Sequence, residues 1–164
     1  MIKIAVSACL LGKNVRYDGG HKFINLTDHF NPKTYQLIGI CPEVEMGMPI
    51  PRAPIHIINN DNHISLTQVK NNKIDYSEQM KLWFQENCHN FNQYAGYILK
   101  SKSPSCGNQT TPHFQAAQKL FLADGFFVYL LKSHYPNIAI IDENNLDNQK
   151  ALSEFTNKLK KEKP

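Results

Sequence analysis

Apolar residues recur along this chain in two rhythms, one suited to strands and one to helices. Residues 2–7 and 35–40 are short runs rich in Ile, Val and Leu, as buried strands require. Residues 95–99 and 137–141 read the same way. Between them, residues 76–94 carry Met80, Phe84 and Cys88 at four-residue intervals, with Trp83, Asn87 and Phe91 close by, and predict a helix. Residues 110–123 also predict a helix, with Thr110 or Thr111 as its cap and Pro112 in its first turn. Residues 125–134 fit either period. Helix is preferred there, because a parallel strand follows and needs a crossover before it. A polar helix over 144–161 closes the chain.

Punctuation falls between these runs. Gly12, Gly19 and Gly20 bound a loop that carries Arg16, Tyr17 and Asp18. Residues 28–35 are weakly helical at best. Residues 47–54 hold three prolines in eight positions, which makes a stiff extended loop. Residues 55–58 and 63–68 flank the polar turn 59–62 and read as a β-hairpin at the periphery. Strands alternating with helices predict a single-domain α/β fold over 1–164, a Rossmann-like, mainly parallel sheet flanked by helices.

Composition narrows the class rather than the activity. At 164 residues, 41% hydrophobic and 20% charged, the chain is an ordinary globular protein long enough to bury a core. The net charge of +4 is mild, and part of it lies in the run 158–163, expected to be a solvated helix end. Duplex nucleic acid is not an expected partner, since no zinc-finger or RNA-binding sheet motif occurs. A nucleobase-sized ligand remains open. No cleavable signal and no apolar run of about 18 residues is seen, so a cytoplasmic location without membrane attachment is expected.

That location makes structural disulfides rare and directs attention to the four cysteines, 9, 41, 88 and 106. No Cys-x-x-Cys spacing exists, so a site built from them must be assembled by the fold. Cys9, Cys41 and Cys106 each end an apolar run and open a loop, so three strands are expected to deliver them to one crevice. In open parallel sheets ligands sit beyond the carboxyl ends of the strands. Lys100 and Lys102 make the third loop electropositive, which favours a thiolate at Cys106. Three converging thiolates suit zinc, with His21 or His113 as fourth ligand, or an iron–sulfur cluster with one iron left open. Cys88 lies on the apolar face of the helix over 76–94 and reads as a core residue.

Other groups flank the cysteines. Glu43 follows Cys41-Pro42, where a fixed backbone suits a general acid or base, and Glu45 competes for that role. Ser103 and Ser105 flank Pro104, and each either meets a substrate or satisfies the turn. Asp18 orients a substrate or caps its own loop. Arg16 and Arg52 pair with Asp18 and Glu43 or bind an anion.

Taken together, Ser7-Ala8-Cys9-Leu10-Leu11-Gly12, Val15-Arg16-Tyr17-Asp18-Gly19-Gly20, Cys41-Pro42-Glu43, Pro51-Arg52-Ala53-Pro54 and Ser103-Pro104-Ser105-Cys106-Gly107 resemble a bacterial family first catalogued as a domain of unknown function. Its characterised members are thiouracil desulfidases. The matching blocks span roughly residues 2–107, and the remainder matches more loosely. The resemblance implies a 4Fe-4S cluster held by Cys9, Cys41 and Cys106. It also implies non-redox removal of sulfur from a thiolated nucleobase such as 2-thiouracil. An open iron would bind the substrate sulfur as a Lewis acid, and water activated by Glu43 would replace it. Ser103 would orient the substrate or pass a proton, with Asp18, Ser105 and Arg16 as substrate contacts. The alternative is a zinc or iron–sulfur binding module without turnover.

Overall fold

The computed structural model describes residues 1–161, and the expectation for 158–163 reaches outside them. The chain opens with β1 (Ile2–Ser7), β2 (Tyr35–Ile40) and a single-turn helix α1 (Pro42–Glu45). A hairpin of β3 (Ile55–Asn60) and β4 (His63–Gln68) precedes α2 (Ser77–Phe91) and β5 (Gly96–Leu99). Then come β6 (Thr111–Gln115), β7 (Gln118–Ala123), α3 (Phe126–His134), β8 (Ala139–Asp142) and α4 (Gln149–Lys161). Among these residues no helix is long and apolar enough to cross a membrane.

The expected parallel sheet is present, in the order β2-β1-β5-β8. β1 sits inside it, and residues 4–6 are buried because both faces are covered. Alternation along β1 sends Ala5 to one core and Ile4 and Val6 to another. The first core packs the sheet on α2 and α3 through Trp83, Phe84, Tyr97, Phe126 and Phe127. The second packs it on Phe30 and on Phe155 and Leu159 of α4. The register sets the carboxyl ends level: Ser7 pairs with Ile40, Val6 with Ile98, and Leu99 with Asp142. The residues that leave β2, β1 and β5 therefore enter the same space.

Two expectations need correction. Residues 110–123 form the hairpin β6–β7, not a helix, turned by Ala116 and Ala117 at φ of 48° and 64°. Thr111 and His113 are buried while Pro112 and Phe114 are half-buried, a period-two pattern outweighing the Thr-Pro cap signal. Second, the hairpin β3–β4 is no peripheral addition. β3 pairs in parallel with β6, completing a mixed four-stranded sheet in the order β4-β3-β6-β7 whose Ile57 and Leu66 lie in the first core. At the end of the chain, Asp142 accepts from Asn144 N–H and opens a short 3-10 turn (Glu143–Asn145), so α4 starts later than the expected 144.

The loop bearing Cys106 is held by the unpaired N–H groups that begin α3. Gly125 N–H donates to Gly107 O at 2.7 Å, Phe126 N–H to Pro104 O at 2.8 Å and Val128 N–H to Ser105 O at 3.3 Å. A Cβ on Gly125 would lie 2.6 Å from the Ser105 carbonyl carbon and oxygen, backbone atoms that cannot rotate away. Gly125→Ala is expected to cost roughly 1–3 kcal/mol, as overpacking does, measured by urea unfolding. A variant as stable as the parent would show that this junction is not tight.

Candidate active site

Beyond the carboxyl ends of β2, β1 and β5 lies a cavity of about 370 Å³. Cys9, Cys41 and Cys106 all line it, with Glu43, Arg16, Arg52, Lys100 and Ser103 among the other walls. Each cysteine arrives by its own local device. Cys9 sits in a 3-10 turn (Ala8–Leu11) after β1, closed by Gly12 at φ 84°, a left-handed conformation that glycine adopts freely. Cys41 caps α1, its N–H donating to Glu45 Oε1 at 3.1 Å. Cys106 follows a turn in which Ser103 Oγ accepts from Cys106 N–H at 3.0 Å and Ser105 N–H at 3.2 Å.

Burial decides the chemistry of the free thiols. It pushes Cys9, Cys41 and Cys106 above the ordinary thiol range, Cys106 most. Arg16 and Lys100 draw Cys9 down and a side-chain hydrogen bond from Ser7 draws Cys106 down, but neither outweighs burial. The expected thiolate at Cys106 is thus not favoured by the electropositive loop alone. A bound metal would have to supply that, since a coordinating thiol deprotonates outright.

Glu43 is the carboxylate of this cavity. Its Oε2 accepts from Arg52 Nη2 at 3.2 Å, with side-chain exposures of 15% and 3%. Burial raises its pKa, while Arg52 and then Arg16 oppose that rise incompletely. The same Arg52 nitrogen donates to Val15 O at 2.9 Å, and Arg52 N–H donates to Tyr17 O at 2.9 Å, pinning the glycine loop over the site. Lys22 N–H donates to Cys9 O at 2.9 Å and fixes the far end of that loop. Glu45 does not line the cavity, because its carboxylate is engaged at the Cys41 cap.

The other expected groups divide. Arg16 and Ser103 line the cavity, whereas Asp18 and Ser105 do not. Asp18 Oδ1 accepts from Gly20 N–H at 2.9 Å and caps its own loop. Ser105 is buried behind the loop, its hydroxyl without a partner. The two histidines offered to zinc lie elsewhere. His21 Nδ1 accepts from Phe23 N–H on the surface, and His113 is buried in the second sheet between Asn59 and the Asp124 carbonyl. Among the described residues no three His, Cys, Asp or Glu side chains are gathered tightly enough for a single metal ion. Cys88 belongs to α2, where its Sγ donates to Gln85 O.

Sequence reading missed Ser7, Ser101 and Glu143. Ser7 Oγ accepts from Lys100 N–H at 2.9 Å where the β1–β5 ladder ends. Glu143 accepts from Ser101 N–H at 2.6 Å and pairs with Lys100. The signal was positional: each lies within two residues of a strand's carboxyl end, but only the sheet order makes β8 the neighbour of β5.

Comparison with known proteins places this arrangement among relatives. A sequence model described as 2-thiouracil desulfurase matches residues 4–143, reaching past the last motif read from the sequence. A Bacillus subtilis (strain 168) protein, the uncharacterized protein YbbK, is 29% identical over 154 residues, covering 88% of this chain and 97% of that one. The solved structure of the 4Fe-4S-dependent thiouracil desulfidase TudS is similar with a TM-score of 0.67 at 28% identity. That match covers 94% of this chain and 99% of the other.

Proposed function

The chain belongs to the 2-thiouracil desulfurase family, and from that premise we propose that it hydrolytically desulfurates a small thiolated nucleobase of the 2-thiouracil type. The observation that carries this reading is the cavity itself, where three cysteines from three adjacent strand ends face one buried, arginine-held carboxylate.

The donor set fits a 4Fe-4S cluster better than zinc. One zinc ion at about 2.3 Å from each sulfur would need three thiols drawn to within about 4 Å of one another. The cysteines share the cavity without being gathered in that way, and neither candidate histidine joins them. In a cluster each cysteine serves a different iron, so a wider spacing suits it. Cys9, Cys41 and Cys106 would hold the cluster, which would supply Lewis acidity toward the substrate sulfur.

The remaining work falls to the chain. Glu43 takes a proton from water, whose oxygen replaces sulfur at the thiocarbonyl carbon. A C–O bond forms, the second water proton passes to sulfur as the C–S bond breaks, hydrosulfide leaves, and Glu43 returns its proton to solvent, with no net change of oxidation state. Arg52 favours the ionised form of Glu43 against the burial that pushes its pKa up, leaving a carboxylate that holds a proton more readily than a free one. Ser103 keeps its hydroxyl proton free to donate, because both of its turn bonds are accepted by oxygen. Arg16 faces the substrate as a cation from the glycine loop.

Anaerobic reconstitution with iron and sulfide, followed by 2-thiouracil, tests the reading. Hydrosulfide and uracil in equal amounts are expected. A cluster that forms but releases no hydrosulfide from thiolated bases would leave a binding module in place of an enzyme. Cys88→Ser is expected to keep full iron content and turnover, and loss of iron in that variant would mean that the ligand set is wrong.

A further inference from the structure

We propose that Lys100, fixed by Glu143, is the built-in counter-charge of the sulfur-lined cavity, with Glu143 as its positioning residue. This rests on the cluster reading given above. Lys100 lines the cavity and Glu143 stands behind it, outside the lining. Lys100 Nζ lies 2.7 Å from Glu143 Oε1, with side-chain exposures of 18% and 10%. The ammonium also donates to Ser101 O at 3.0 Å and Ser101 Oγ at 3.3 Å, so all three of its protons are taken within the protein. It therefore has no proton left to bind a ligand directly and acts through its charge.

The rest of the network serves to hold that charge still. Glu143 Oε2 accepts from Ser101 N–H at 2.6 Å, and Oε1 accepts from Ser101 Oγ at 2.8 Å. Asn144 Nδ2 donates to Ser101 Oγ at 2.9 Å, and Ser7 Oγ receives the Lys100 N–H at 2.9 Å. The pair is a fixed dipole with its positive end in the cavity wall. Of the other cations of this cavity, Arg52 is committed to Glu43, and Lys22 and Lys102 are exposed, where salt screens them. Arg16 is a second cation in the wall, carried by the glycine loop with its Nε 4.0 Å from Asp18 Oδ1 rather than fixed at a strand end.

Three variants of the full chain, reconstituted with the cluster, test this by midpoint potential, iron release to a chelator and thermal unfolding. Lys100→Met is expected to lower the cluster's potential and to speed iron release roughly tenfold, as loss of a partner around a metal site does. Lys100→Arg keeps the charge and is expected to restore both. Glu143→Gln is expected to raise the potential, since the amide oxygen can still accept from the ammonium and hold it in place while the opposing charge is lost. A merely structural role would lower stability in both Lys100→Met and Glu143→Gln without shifts of opposite sign. An unchanged potential in Lys100→Met, or shifts of the same sign in both, overturns the proposal while leaving the desulfidase reading intact. A parent chain that takes up no cluster removes both.

Discussion

Glu43→Gln is expected to keep its cluster and lose roughly 10²- to 10⁴-fold in turnover, the range that general acid–base catalysis contributes. Glutamine matches glutamate in shape and can still accept from Arg52 Nη2, which lies 3.2 Å from the native carboxylate. The cavity wall should therefore stand, and iron content and the visible spectrum should match the parent's. What is lost is the ability to take a proton from water. Glu45→Gln is the control. Glu45 accepts the Cys41 N–H, so its amide should weaken the α1 cap slightly and leave turnover near normal. Near-normal turnover in Glu43→Gln with collapse in Glu45→Gln would reverse the assignment.

Cys106→Ser carries the second large effect. Cys106 is buried against the first core and ends the loop that α3 holds through Gly107, Pro104 and Ser105 carbonyls. Serine fits that space, so the loop should fold. A buried hydroxyl remains protonated far above the pH at which a thiol yields to a metal, so one of the three cluster positions fails. Iron bound after anaerobic reconstitution is expected to fall to background, and desulfuration with it. A variant that alters stability yet binds as much iron as the parent would leave these cysteines as buried thiols of a metal-free domain.

How much of this was legible in the sequence depends on what kind of information each feature needs. The strands over 2–7 and 35–40 coincide with β1 and β2, because short β-branched runs ended by Cys-Pro or Ser-Ala-Cys carry their own boundaries. The shared cavity of Cys9, Cys41 and Cys106 followed from one rule, that parallel strands present the same end to one side. Residues 110–123 misled because Thr-Pro is a helix-start signal that any local reading would accept. β6 is a strand because it pairs both with β7 and with β3, more than 50 positions earlier, where Ile57 pairs with His113. Asp18 and Ser105 were ambiguous between site and turn, and the fold placed both outside the cavity lining. The thiolate expected at Cys106 failed for a physical reason: charge spacing is visible in a sequence, but burial is not. Glu143 was out of reach for a similar reason, since its partner Lys100 lies 43 positions away in the sequence, across two adjacent strand ends.

The most direct test of the central claim is one anaerobic sample assayed twice, for iron and acid-labile sulfide and then for hydrosulfide released from 2-thiouracil. About four iron and four sulfide per chain are expected, with hydrosulfide appearing in step with uracil. A colourless protein holding zinc or no metal, and releasing no hydrosulfide, would contradict the account.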